Sequence, residues 1–247
     1  MPDATHSHPP CVLVVQHEDA CPPALFGRWL EEAGVVLDVR RPYAGDPLPR
    51  HLDEHDGLLV LGGEMGAYDD GAHGWLTTTK MLLSAAARTG SPTLGICLGH
   101  QLTAVALGGR VQRNPAGQAT GITAVGWTAE ADNDPLFAEV AGDVRAVQWN
   151  NDAVTTLPSR ARPLAWAADG TPQAVRFGEH AWGVQFHPEV DADVFGLWVA
   201  RGRDRAADRG LDADAALRAV ERARAELHRA WRPLANAYAR VVVTAPR

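Results

Sequence analysis

Cysteine is scarce in this 247-residue chain: Cys11, Cys21 and Cys97 show no paired spacing and no C-x-x-C. That argues against a disulfide framework and for a reducing, cytoplasmic compartment. Positive charge is not in excess either. The formal net charge is -7 and the pI near 5.8, so nothing resembles a basic footprint for nucleic acid. No apolar run is long enough to span a membrane. The first ten residues, with His6, His8, Pro9 and Pro10, lack the apolar core of a signal peptide and read as a loose tail. Metal binding by His6 and His8 is the alternative. There is no G-x-x-x-x-G-K-[ST] phosphate loop, no internal repeat and no low-complexity linker. What is present is ordinary for a globule: 46% hydrophobic residues and length enough for one large domain.

Val12 to Val15, Val35 to Val39, Leu58 to Leu61 and Thr93 to Ile96 are short apolar runs suited to buried strands. Helical patterns lie between them. One starts at Pro22-Pro23, carries Leu25, Phe26, Trp29 and Leu30 on one stripe, and stops at Gly34; another covers Trp75 to Ala87. Strands separated by helices imply βαβ units and a parallel sheet buried on both faces. Beyond Gly109 the texture changes. Ile122 to Trp127, Arg145 to Trp149, Pro163 to Ala167, Ala174 to Phe177 and Trp182 to Phe186 are closely spaced strand candidates, which suggests hairpins or an antiparallel extension. Asp212 to Arg240 has the spacing of a long amphipathic helix, with Pro233 expected to kink or interrupt it. The expected organisation is a tail over 1-10, a domain over 11-198 and a helical extension over 199-247 docked on that domain.

The stretch Ser91 to Leu102 is the chemically suggestive one. Cys97 lies where an apolar strand run meets a helical pattern, with Gly95 and Gly99 two residues to either side. This is the elbow logic of G-x-S-x-G hydrolases, with sulfur in place of oxygen. A helix starting there points free N–H groups and a positive dipole end at the thiol, favouring thiolate. A buried structural cysteine is the alternative. Among ten histidines, His187 follows a strand run at a Pro-enforced turn, with Glu189 two residues on to fix its tautomer. By itself His-x-Glu is a weak signal.

Together, Gly95-Ile-Cys-Leu-Gly-His-Gln101 and Gln185-Phe-His-Pro-Glu189 resemble the class I glutamine amidotransferase family and its Cys-His-Glu triad. Val14-Val-Gln-His17, Tyr43-Ala-Gly45, Leu61-Gly-Gly63 with Met65, Leu107-Gly-Gly109 with Arg113-Asn-Pro115, and Asp134-Pro-Leu-Phe137 extend the resemblance to its GMP-synthase-like subgroup, over roughly residues 11 to 198. The resemblance implies an α/β, flavodoxin-like open sheet, mostly parallel, with helices on both faces. It implies that Cys97 attacks the γ-amide of glutamine or of a γ-glutamyl compound, with His187 and Glu189 as its partners. Backbone N–H groups of Gly63 and Leu98 would hold the oxyanion. Gln101, Met65, Asn151 and Asp152 would lie against the substrate, although an exposed first-turn helix position is the plainer reading of Gln101. No metal or organic cofactor is implied.

The departures concern loops. Trp149-Asn-Asn-Asp152 stands where the subgroup usually has Trp-His-Gly-Asp, so Asn150 replaces a histidine and Asn151 a glycine. Asn151 is expected to tolerate a left-handed backbone there. Ala119 stands where relatives commonly carry Glu. A shift of substrate away from free glutamine and neutral drift both account for these changes. Three functional readings follow: an amidotransferase feeding ammonia to a separate synthetase, a free-standing γ-glutamyl peptidase or amidase, and a non-catalytic binding protein on the same fold. Trp127, Trp149, Trp166, Trp182 and Trp198 read as core, Asp69-Asp70 as a solvated loop, and His100 as structural.

Overall fold

A computed structural model describes residues 8–245, so most of the expected tail, His6 included, lies outside the described residues. The apolar runs form the strands foreseen for them: β1 (Cys11–Val15), β2 (Val36–Arg40), β3 (Gly57–Val60) and β4 (Thr93–Ile96). α1 (Ala24–Glu32) follows β1, and α2 (Trp75–Thr89) links β3 to β4. α3 (Leu98–Ala106) leaves β4 through Cys97.

After it come β5 (Arg110–Arg113), β6 (Ala119–Ala124), β7 (Gly126–Trp127), β8 (Arg145–Asn150), β9 (Asp152–Thr156), β10 (Arg162–Trp166), β11 (Pro172–Arg176) and β12 (Ala181–Val184). Helices α4 (Ala192–Ala207) and α5 (Ala213–Thr244) complete the chain.

The main sheet has the order β2-β1-β3-β4-β12-β11-β10-β7. Its first five strands run parallel, and β11, β10 and β7 continue it antiparallel. Two ribbons, β5 with β9 and β6 with β8, stand apart from it. The period of two along each strand divides the core. Val12, Val14, Leu59, Leu94 and Ile96 point to the side of α1 and α5. Leu13, Val15, Leu58 and Val60 point to the side of α2 and α3. A sheet sandwiched in this way needs apolar residues at every position, hence the unbroken runs in the sequence.

Several expectations change. The run Ile122 to Trp127 splits at Val125 between two sheets, because β6 pairs with β8 whereas β7 pairs with β10. β5 and β9 form where the sequence pattern predicts no strand, and α4 begins ahead of the expected helical extension, so the boundary at 198 falls inside it. Pro233 does not interrupt α5, which is one 32-residue helix. Packing holds it: Trp231 Nε1 donates to Arg145 O (3.1 Å), and Tyr238 Oη donates to Leu58 O (2.9 Å) beneath the sheet. The assigned core role fits Trp182, which is fully buried, but not Trp166, which is 36% exposed.

Candidate active site

Cys97 joins β4 to α3 with φ 52° and ψ -104°, a conformation that L-residues avoid. Such strain costs about 1–3 kcal/mol and persists only where the surroundings enforce it. Here two close approaches do so. A Cβ added at Gly99 would lie 2.0 Å from Val60 O, and one added at Gly95 would lie 2.5 Å from Gly99 O. Only glycine at both positions lets α3 start against β3 and β4. Backbone bonds from Cys97 N to Val184 O (2.8 Å) and from Gln101 N to Cys97 O (3.0 Å) fix the corner.

His187 reaches the same place from β12. Its N–H donates to Val147 O (2.9 Å) and its ring Nδ1–H donates to Glu189 Oε1 (2.7 Å), with both side chains buried. Gly62 abuts both residues: a Cβ added there would be 3.1 Å from His187 Cε1 and 3.6 Å from Cys97 Cβ. Burial is the largest single influence on the imidazole and favours its neutral form. The charges of Glu189 and Cys97 outweigh it and raise the ring to about 10. The ring of Trp198 stands edge-on to His187 at 4.5 Å between centroids, anchored by its Nε1 on Ala20 O (2.7 Å).

Gly63 abuts the start of α3, since a Cβ added to it would lie 3.1 Å from Leu98 Cδ2 and from Met65 Sδ. Leu98 is the first residue of α3, so its N–H has no acceptor within that helix. Gln101 is buried, not the exposed helix residue of the plainer reading. Its Nε2 donates to Asp152 O (3.0 Å) and to Gln185 Oε1 (3.2 Å), and Gln185 Nε2 in turn donates to Cys97 Sγ (3.6 Å). The sequence alone assigns Gln185 no role beyond its place in the motif. The signal was a polar side chain inside an apolar strand run, two residues before His187.

These groups border one cavity of about 380 Å³. Cys97, His187, Gly63 and Met65 line it, with Gln101, Asn151 and Asp152 also in its wall. Glu189 and Leu98 stand behind the lining. Cys21, for which the sequence signals no site role, also reaches the cavity; its thiol donates to Glu18 Oε1 (3.3 Å), and burial together with that carboxylate pushes it well above the usual thiol range. Asn150 lines the cavity and is buried, with Oδ1 lacking a donor. Asn151 does not adopt the left-handed backbone expected of it: among the described residues other than glycine, only Ala24 and Cys97 have positive φ. Its side chain accepts from Arg209 instead (2.6 Å).

His100 is fully buried beside Phe177, and burial lowers it to about 3. Asp70 pairs with Lys80 (2.6 Å), and Asp69 accepts from Gly66 N (2.7 Å). Among the described residues, no group of three His, Cys, Asp or Glu side chains is placed to hold a metal ion. No helix among them is long and apolar enough to cross a membrane.

The family model "Glutamine amidotransferase class-I" matches residues 27–200. The chain is 30% identical over 207 residues to the glutamine amidotransferase-like protein YfeJ of Salmonella typhimurium, covering 80% of this chain and 83% of that one. It is 26% identical over 166 residues to gamma-glutamyl peptidase 5 of Arabidopsis thaliana, covering 66% and 65% of the two chains. It is 34% identical over 175 residues to the glutamine-hydrolyzing GMP synthase of Clostridium novyi, covering 70% of this chain and 31% of the synthase. The crystal structure of a glutamine amidotransferase from Thermotoga maritima superposes with a TM-score of 0.83 at 28% identity, covering 94% of this chain and 99% of that one.

Proposed function

Because the chain belongs to the class-I glutamine amidotransferase family, we propose that it is an amide hydrolase in which Cys97 attacks the side-chain amide carbon of glutamine or of a γ-glutamyl compound. The observation that carries this reading is the meeting, in one cavity, of a strained Cys97 with a His187 ring held 2.7 Å from Glu189. Attack forms a C–S bond and moves the carbonyl electron pair onto oxygen, which the N–H groups of Leu98 and Gly63 receive. One such donor is worth ~2.7–4 kcal/mol of barrier in other hydrolases. Collapse breaks the C–N bond, and protonated His187 gives its proton to the departing nitrogen. The neutral ring then takes a proton from water, which attacks the thioester and frees glutamate and the thiol. Glu189 keeps the ring in one tautomer and stabilises its charge.

Gln101, Met65, Asn151 and Asp152 border the space for the amino-acid end of the substrate. Since Gln101 Nε2 is committed to Asp152 and Gln185, its carbonyl oxygen is the atom offered to a ligand. The released ammonia either passes to a separate synthetase or is simply discharged by an enzyme working alone. Incubation with glutamine and a panel of γ-glutamyl amides tests the reading. Wild type should release glutamate, Cys97→Ser should not, and a glutamine-like chloroketone should alkylate Cys97. A protein that binds these compounds without either reaction would be a binding module. Ammonia transfer that requires an added synthetase would identify the amidotransferase form.

A further inference from the structure

Three arginines four residues apart, Arg201, Arg205 and Arg209, line the cavity that holds Cys97. Spacing of four keeps side chains on one helix face. The first two lie on α4 and the third just beyond its end. Arg201 and Arg205 face carboxylates, Glu18 at 3.7 Å and Glu64 at 3.2 Å. Arg209 is held differently. Its Nη1 donates to Gln118 Oε1 and to Asn151 Oδ1, two neutral oxygens on the loops between β5 and β6 and between β8 and β9. These bonds fix the guanidinium at the cavity rim without cancelling its charge. A planar, doubly donating cation is left for an oxyanion, which is the group an arginine fork matches best.

Asn150 adds an independent observation. The residue is only 6% exposed, its Oδ1 has no donor, and it borders the same cavity. A buried acceptor left unpaired is unfavourable, and a ligand N–H would satisfy it. At about 380 Å³ the space also falls within the size range of clefts that enclose small-molecule ligands.

Building on the amide-hydrolase reading, we propose that the substrate is a γ-glutamyl compound whose amine part carries a carboxylate, as in a γ-glutamyl amino acid or peptide. Arg209, set in place by Gln118 and Asn151, binds that carboxylate. The glutamyl carbonyl lies at Cys97, and the amine part extends to the rim. The chemistry is unchanged: the C–S bond forms first, collapse of the oxyanion then breaks the C–N bond, the amino acid leaves with a proton from His187, and water cleaves the thioester.

The test compares γ-glutamylglycine with γ-glutamylglycinamide, which differ only in the free carboxylate. Wild type should favour the first in kcat/KM by about tenfold or more. Arg209→Gln should bring the ratio close to one, with Arg209→Lys in between. Asn151→Gly should also lower it. Arg232→Gln, which removes an exposed ion pair with Glu32 on the far end of the chain, should leave the ratio as it is. A wild-type ratio near one overturns the proposal, and so does a ratio that survives Arg209→Gln. If Arg209→Gln slows both substrates by one factor, the arginine serves the glutamyl carboxylate instead, which also overturns it. If wild type hydrolyses no amide and the chloroketone leaves Cys97 untouched, the amide-hydrolase reading itself fails and takes the proposal with it.

Discussion

Two buried histidines lie on opposite sides of neutrality in this molecule. His100 is three residues from Cys97 and fully enclosed beside Phe177, where burial lowers it to about 3. His187 is remote in sequence and equally enclosed, yet it is raised to about 10. Burial presses both rings toward the neutral form. What separates them is the carboxylate 2.7 Å from His187 Nδ1, supplied by the turn through Pro188 to Glu189, together with the charge of Cys97. No comparable carboxylate bonds to His100, whose two ring nitrogens are without partners. Nearness to Cys97 along the chain therefore does not keep a ring protonated. A charged neighbour on the far side of the ring does.

The largest expected difference between the two sites is in turnover. His187→Ala should lower kcat for amide hydrolysis by about 10⁴-fold or more, as loss of the base does in other nucleophilic hydrolases. His100→Leu replaces an unpaired buried ring with an apolar side chain and should leave kcat close to wild type. Glutamate release measures both, and equal losses would break the contrast. Next in size is Glu189→Gln. It keeps a hydrogen-bonding group beside the ring but removes the charge, so kcat should fall by ~10²–10⁴. Its pH profile is the sharper readout. The alkaline limb of kcat/KM, set in wild type by loss of the His187 proton near 10, should move to lower pH.

Stability should separate the rings as well. The folded-state value of His187 is above that of a free imidazole. Its contribution is therefore full below about pH 6.5 and lost as pH rises through about 10. His100 behaves in the opposite sense. The unfolded chain takes up a proton that the folded ring refuses, so this contribution is full above about pH 6.5 and lost as pH falls toward about 3. Each slope is at most one proton, ~1.4 kcal/mol per pH unit. Urea unfolding across the pH range should show His100→Leu flattening the acid limb. It should do so only in part, because His17 is also buried and lowered to about 3. Glu189→Gln should flatten the alkaline limb. An alkaline limb unaffected by Glu189→Gln would show that the carboxylate does not hold the proton on His187.

Much of this architecture is legible in the sequence where burial is two-sided. Val12 to Val15 and Leu58 to Leu61 read as strands because both faces of the sheet are covered. The corner at Cys97 is legible because Gly95 and Gly99 are the only side chains that two backbone contacts permit. The pairing of His187 with Cys97 has no such local cause and came only through family resemblance. β5 buries just Val111 of four residues, so its polar pattern hides a ribbon partner some way along the chain. α4 contains Gly196 and Gly202, residues that weaken a helical pattern. Yet a Cβ at Gly202 would lie 2.7 Å from Trp149 Cζ2, so the glycine makes room for a ring. Trp198 shows the same limit: its spacing says core, while its surroundings make it a wall of the site.

Trp198 also provides the smallest of the expected effects. Its ring packs on His187 at 4.5 Å while Nε1 holds Ala20 O, one residue before Cys21. Trp198→Phe keeps an aromatic face against the imidazole and leaves the Ala20 carbonyl without its donor, at a cost of about 1–3 kcal/mol in stability. The ring of His187 would still be held by Glu189, so kcat should fall by only about three- to tenfold, the equivalent of roughly 1 kcal/mol. For the same reason the alkaline limb of kcat/KM should stay in place. A loss as large as that of Glu189→Gln, or a displaced alkaline limb, would mean that the edge-on contact with Trp198, rather than the carboxylate, sets the orientation and charge of His187.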